Sequence, residues 1–231
     1  MVNNSGIIGT VQPGSIKFKD LNGDGKVDLT NDRQIIGNPT PKFTGGFNQQ
    51  FAYKNWDMSL FVNFVYGNTI YNANKVELTN GYTNNANMLA IMSNRWKTVA
   101  PDGTILQYVN STGQVIGAEP ATLSTTNAYA TIWQPIKGAG AFYPSSWAME
   151  DGSFLRINNL TIGHTFNSKQ LSKLKISKLR FYLTGNNLAV FTKYTGYDPE
   201  VSVSNNGLTP ALDYSAYPKS RSFIYGLNAT F

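Results

Sequence analysis

Apolar residues in this chain fall at every second position, and the connections between the segments that do this alternate between very short and very long. From Trp56 to Tyr66 the even positions Trp56, Met58, Leu60, Val62, Phe64 and Tyr66 are all apolar. The odd positions carry Asp57, Ser59 and Asn63, with Phe61 and Val65 as exceptions. A period of two gives a β-strand one apolar and one polar face. Phe43, Phe47, Phe51 and Tyr53 share one face of a preceding strand, and only Lys54-Asn55 separates the two, which predicts a tight hairpin. Near residue 231, Phe223, Tyr225, Leu227, Ala229 and Phe231 alternate with Ser222, Gly226, Asn228 and Thr230, with Ile224 the exception. Two further strands are predicted, at about 153–166 and 178–191. In each the apolar phase slips once, near Asn158-Asn159 and near Asn186-Asn187-Leu188. A β-bulge produces such a slip, because one extra residue flips every later side chain to the other face.

The connections run short (54–55), long (68–152), short (about 167–177) and long (192–220). All short turns therefore lie at one end of the strands and all long loops at the other, the pattern of an antiparallel membrane barrel. Trp56 to Tyr66 is eleven residues, and a tilted membrane strand takes about 9–11. Phe43, Tyr53, Trp56 and Tyr66 at the strand ends suit interfacial aromatic girdles. The predicted fold is all-β, an antiparallel up-and-down transmembrane β-barrel segment of about five strands with long extracellular loops. Five strands do not close a barrel, for which about eight are needed, and open sheet edges in lipid cost several kcal/mol per unsatisfied group. The chain thus reads as a fragment. Its first residues, MVNNSGIIGTVQPG, lack the basic and apolar regions of a signal peptide, in keeping with that reading. Residues 1–42 are expected to form an extracellular loop, and 43–231 the strands with long loops 68–152 and 192–220, the first holding a helix near 87–96.

Charged residues make up 14% of the chain and aromatics 13%, against about 25% charge in an ordinary soluble domain. The formal charge of +6 arises from scattered basic residues, the only cluster being Lys169, Lys173, Lys175 and Lys178, so a nucleic-acid partner is not expected. Absence of cysteine excludes disulfides and thiolate sites, and a single histidine, His164, excludes a multi-imidazole metal centre. His164 lies within a predicted strand and reads as a satisfied or interfacial residue, not a general base. No GxSxG, Walker or GxGxxG segment occurs, so no enzymatic activity is expected. Gly138 and Gly140 mark a flexible loop. Trp96, Trp133, Trp147 and Tyr143 could stack on sugar rings, although loop packing is the simpler role for each.

One local motif points to a metal. Asp20, Asn22, Asp24 and Asp28 occupy positions 1, 3, 5 and 9 of a calcium-type loop, with Gly25 at position 6 and the Lys26 carbonyl at position 7. Position 12 is Asn31, and the acid falls one residue later, at Asp32. The spacing predicts a structural Ca2+ site; a solvated Asp/Asn/Gly turn is the alternative. Phe231, preceded by alternating apolar residues, matches the signal read by the machinery that assembles outer-membrane barrels.

The segments GSIKFKDLNGDGKVDLTNDRQIIGNPTPKFTGGFN (14–48), SFLRINNLTIGHTF (153–166), LTGNNLAVFTKYTGYDPEVS (183–202) and YPKSRSFIYGLNATF (217–231) occur in an order that resembles the C-terminal part of the SusC/RagA family of TonB-dependent outer-membrane transporters. The resemblance extends nearly end to end, with 68–152 the least diagnostic stretch. That family usually places the last acid of the loop one residue before Asp32, and a Tyr where this chain has His164. The resemblance implies a 22-stranded barrel in the Gram-negative outer membrane, of which these would be the last five strands. It implies import of glycans or peptides with a SusD-like lipoprotein, and coupling to TonB through a plug and an N-terminal remainder not contained in these residues. The competing expectation is a soluble calcium-binding β-module, with carbohydrate as its candidate ligand. The two differ in where the apolar faces point: a barrel leaves Trp56 to Tyr66 outward, whereas a module hides them in a core.

Overall fold

The computed structural model describes residues 12–80, 87–109, 115–118, 120–134, 144–167, 175–201 and 209–231, with Ile7 and Leu171 as single positions. Gly138, Gly140, Tyr143, Lys169 and Lys173 lie outside the described residues. In chain order the elements are β1 (Phe43–Tyr53), β2 (Trp56–Tyr66), β3 (Thr69–Asn72), α1 (Ala73–Asn80), β4 (Gln107–Val109), β5 (Val115–Ala118), α2 (Pro120–Thr126), β6 (Met149–Asp151), β7 (Phe154–Phe166), β8 (Lys178–Thr192), β9 (Leu212–Asp213) and β10 (Ser222–Thr230). They fall into two compact units, one of residues 37–72 and 149–231, the other of residues 1–36 and 73–148.

The first unit is built on an antiparallel sheet in the order β1-β2-β7-β8-β10. The predicted strands begin and end within a residue of those observed. Lys54, at the tip of the β1–β2 hairpin, adopts a positive φ of 54°, which a two-residue hairpin turn requires. Both phase slips are irregularities in strand pairing. Phe61 faces Asn159 while Val62 faces Ile157, so Asn158 is the extra residue of β7. Between β7 and β8 the pairing passes from Ile157–Ala189 to Asn159–Asn186, leaving Asn187 and Leu188 as the matching insertion. Asn187 takes φ 51°, a left-handed conformation that Asn tolerates better than other side-chain-bearing residues.

A second, three-stranded sheet in the order β6-β3-β9 belongs to the same unit. These strands fall in stretches expected as loops. They are two to four residues long, too short for periodicity to show in sequence.

The other unit has its own small core, in which Val27, Met92, Leu106, Leu123, Ile132 and Ala148 are buried. Its helical segments also depart from expectation. Near 87–96 the structure has a single 3₁₀ turn, Ala90–Asn94, while α-helix occurs at 73–80 and 120–126. The residue that opens the 3₁₀ turn is Leu89, whose side chain makes no capping hydrogen bond, leaving a weak start for an α-helix. The tryptophans pack within the unit. Trp96 donates from Nε1 to Gln107 Oε1 at 3.0 Å, Trp133 and Trp147 meet edge to face at 5.0 Å, and Lys75 lies 4.3 Å from the centre of the Trp147 ring.

The left-handed residue in the bulge gives a direct test. In the full-length protein, Asn187→Ala is expected to lower barrel stability by about 2 kcal/mol, from left-handed strain of roughly 1–2 kcal/mol and lost side-chain hydrogen bonds. Asn187→Gly, which removes only the bonds, should cost about half as much. The temperature at which the compact folded band disappears on denaturing gels reads the difference, and equal behaviour of the two variants would remove backbone strain from the explanation.

Candidate functional site

Residues paired across an antiparallel sheet share a face. Following the pairs outward from β2 assembles one continuous apolar surface. Tyr53–Trp56–His164–Phe181–Leu227 forms one row across five strands, and Phe51–Met58–Ile162–Leu183–Tyr225 the next. Leu60 and Leu160 lie at the middle, and Phe43, Tyr66, Phe64, Leu155 and Phe191 at the long-loop end. No side chain on this face is buried: Trp56, Tyr66, Phe181, Phe223, Tyr225 and Leu227 are exposed, and Met58, Leu60, Val62 and Phe64 are half-buried. A soluble module would cover such a surface. Its aromatics gather at the two ends. Phe43 stacks on Tyr66 at 4.9 Å at one end, and His164 sits edge-on between Trp56 and Phe166, 4.6 Å from each, at the other.

The opposite face is polar and internally hydrogen-bonded. Asn158 donates to Asn63 at 2.7 Å, Asn159 to Asn186 at 2.7 Å, and Asn186 to Ser222 at 3.1 Å; the Thr161 and Thr184 hydroxyls meet at 2.8 Å. Near the short-turn end Arg180 reaches across β7 and grips Asp57 with both Nε and Nη2, at 2.9 and 2.5 Å. The fork passes over Gly163, where a Cβ would stand 2.6 Å from both Arg180 Nη2 and Asp57 Oδ1. Glycine at this point lets the ion pair close.

At the long-loop end this face anchors the loops. Arg156 is only 1% exposed. It donates to Asp198 Oδ1 and to Asn187 Oδ1, each at 2.5 Å, and its Nε lies 3.4 Å from Glu200. Lys219 reaches the same Glu200 at 2.5 Å, while Asn187 donates to the carbonyls of Lys219 and Ser220 at 2.9 and 3.3 Å. The guanidinium thus holds the bulge and the first part of the 193–221 connection, and Glu200 and Asn187 hold its last part. Beside it, the Tyr194 hydroxyl donates to Asp213 at 2.5 Å. Burial, and then this bond to a carboxylate, holds the Tyr194 phenol well above its ordinary ionisation range.

These features agree with what comparison with known proteins finds. The sequence is 35% identical over 96% of its length to TonB-dependent receptor P3 of Formosa agariphila, covering 20% of that protein. TonB-dependent receptor P39 of the same organism is 32% identical over 94% of the chain, which covers 19% of it. For TonB-dependent receptor SusC of Bacteroides thetaiotaomicron the identity is 26% over 93% of the chain and 17% of the receptor. Solved structures of the RagAB peptide transporter and of the RagAB peptide importer in its closed-closed state superpose with TM-scores of 0.61 and 0.59 at 20% identity. They cover 90% and 95% of this chain, and 19% and 20% of their own chains. The chain is similar over nearly its whole length to one segment of TonB-dependent receptors, and it has the barrel fold of that segment. It spans about a fifth of the length of the curated receptors it matches. No family model matches the sequence.

In this receptor segment the five-stranded sheet is transmembrane wall, with its apolar face outward and its Asn/Thr face inward. His164 lies in the outward aromatic belt. The calcium-type loop belongs to the other unit and is closed by its own amides. Asp20 accepts from Gly23 and Gly25, Asn22 from Asp24, Asp24 from Lys26, and Asp28 from Thr30 and Asn31. Asp32 joins the ends, accepting from Leu21 and Asp28, each at 2.7 Å. The amides of Asn31 and Thr30 hold the Asp28 carboxyl below the usual carboxylate range. The oxygens are of the kind a hard cation takes. Among the described residues, however, no group of three or more His, Cys, Asp or Glu side chains stands together as a metal cage.

Sequence reasoning passed over Arg156 and the Asp57–Arg180 fork. The available signal was a charged residue in the polar phase of a membrane strand, where it needs a partner.

Two substitutions in the full-length receptor separate the faces. Leu60→Arg, outward at mid-strand, is expected to destabilise by about 2–4 kcal/mol, and Ser59→Arg, inward beside it, by less than about 1 kcal/mol. Arg156→Met should cost about 3–5 kcal/mol by leaving Asp198 buried without its partner. Folded yield after refolding into vesicles measures the first pair, with equal losses at 59 and 60 the result that contradicts the assignment. Proteolysis within 193–221 measures the third, with unchanged cleavage the contrary result.

Proposed function

We propose that this chain forms part of the wall and external loops of an outer-membrane TonB-dependent importer of glycans or peptides. The observation that carries the reading is a sheet with an uncovered apolar face, a polar inner face, and two long strands, β1 and β10, each paired on one side only. In lipid both edges need partners, and the remaining strands of a larger barrel of about 22 would supply them. Residues 1–42 and the long loops 68–152 and 192–220 then face outward, where a SusD-like lipoprotein and the substrate arrive. A plug and the TonB contact belong to the remainder of the receptor. The reading assigns no catalytic step: the relatives are receptors and transporters by name, and the ion pairs in this chain hold strands and loops together.

Uptake by cells carrying the full-length receptor tests the proposal. Fluorescent oligosaccharide and oligopeptide pools should include a fraction whose uptake depends on the receptor gene and collapses when the proton-motive force is dissipated. Unchanged uptake of both pools on gene deletion would overturn it. Calcium at the 20–32 turn is kept as a separate structural proposal that rests on ligand spacing. Millimolar calcium should raise the melting temperature of the receptor by several degrees, with the rise lost in Asp24→Asn. An unchanged melt removes calcium from the account.

A further inference from the structure

The outward face of the sheet is not uniformly convex. At its short-turn end a groove of about 550 Å³ is lined by Trp56, His164, Phe166, Leu179, Phe181 and Leu227. These residues come from β2, β7, β8 and β10 and lie within the last two rows before the turns. The groove is therefore at the aromatic belt, the depth at which lipid headgroups meet acyl chains. Its wall is apolar: the His164 imidazole is held edge-on between the rings of Trp56 and Phe166, with its Nδ1 buried.

The adjoining turns have a consistent charge. Lys54 tips the β1–β2 hairpin, with its ammonium 5.2 Å from the centre of the outward Tyr53 ring. The other turn, residues 167–177, contains Lys169, Lys173 and Lys175 and no acid, as the 54–55 turn contains none. The acid nearest these turns in sequence, Asp57, faces inward and is held by Arg180. An apolar slot at headgroup depth, with Lys54 and Lys175 in the adjoining turns, suits a ligand with a hydrocarbon tail and an anionic head.

We propose that this groove is a binding site for one anionic phospholipid of the adjacent leaflet. One acyl chain lies across Phe181 and Leu227, the glycerol ester region comes against His164, and the phosphate meets Lys54 and Lys175. The inference rests on the membrane placement of this face and goes beyond it, because an ordinary barrel surface is solvated by exchanging lipid without retaining one.

Native mass spectrometry of the full-length receptor, delipidated in detergent and then offered dioleoyl phosphatidylglycerol or dioleoyl phosphatidylcholine, tests the site. The wild type is expected to retain one phosphatidylglycerol, and at least five-fold less phosphatidylcholine. Leu227→Trp, which fills the groove, should abolish retention. Lys54→Gln with Lys175→Gln should equalise the two lipids while leaving the groove intact, and serves as the second variant if Leu227→Trp fails to fold. Equal retention of both lipids by the wild type, no retention by a folded wild type, or full phosphatidylglycerol retention by the folded charge variant each overturns the groove. None of these results disturbs the membrane placement itself, which is read separately from refolding into vesicles.

Discussion

A backbone amide or carbonyl in hydrocarbon has no water to fall back on, and the organisation of this chain follows from that constraint. Every transmembrane strand must hydrogen-bond along its full length to neighbours. Strands β2, β7 and β8 do so on both sides, over registers that run nearly from end to end. The two outer strands do so on one side only, so the segment is complete as a wall and incomplete as a barrel. The same solvent explains the side chains. A face that would force a soluble sheet to find a second layer lies open here, since lipid is as apolar as any core that could cover it.

Because lipid contributes no hydrophobic force toward a core, cohesion on the inner face is polar. The Asn63–Asn158, Asn159–Asn186 and Asn186–Ser222 bonds, the threonine pair and the Asp57–Arg180 fork tie β2, β7, β8 and β10 to one another. Their geometry depends on small details of sequence: a glycine under the fork, an extra residue in β7 and a left-handed Asn in β8. The bulge also has a use beyond register. It presents Asn187 to Arg156, which in turn holds Asp198 and stands beside Glu200. The irregularity of the wall is thus the foundation on which the long 193–221 connection is anchored.

What could be read from sequence follows the range of the interactions involved. Strand positions, the hairpin at Lys54-Asn55 and both bulges were legible, because alternation is local and lipid leaves it uncompromised by a second packing layer. The open outer face was legible for the same reason. The short strands β3, β6 and β9 were not, since two to four residues carry no measurable period. Neither was the Arg156–Asp198 pair, whose members are 42 positions apart. The helical turns of the 73–148 region were misplaced, as local propensity there competes with packing around Met92, Leu106 and Leu123. The calcium-type motif was legible as a spacing, and in the fold its acids also accept from the amides of their own turn.

The central claim is that the even positions of β2 meet lipid and the odd positions meet the aqueous interior. These 231 residues contain no cysteine, so a single cysteine placed in turn at each position from 57 to 65 gives a unique spin-label site in this segment. Any cysteines in the remainder of the receptor would first be replaced. In the full-length receptor in bilayers, collision rates with oxygen and with a water-soluble nickel complex should alternate with a period of two. Oxygen contact should be greatest at 58, 60, 62 and 64, and nickel contact greatest at 57, 59, 61 and 63. A profile without alternation, or one with nickel reaching Leu60 and Val62, would contradict the account.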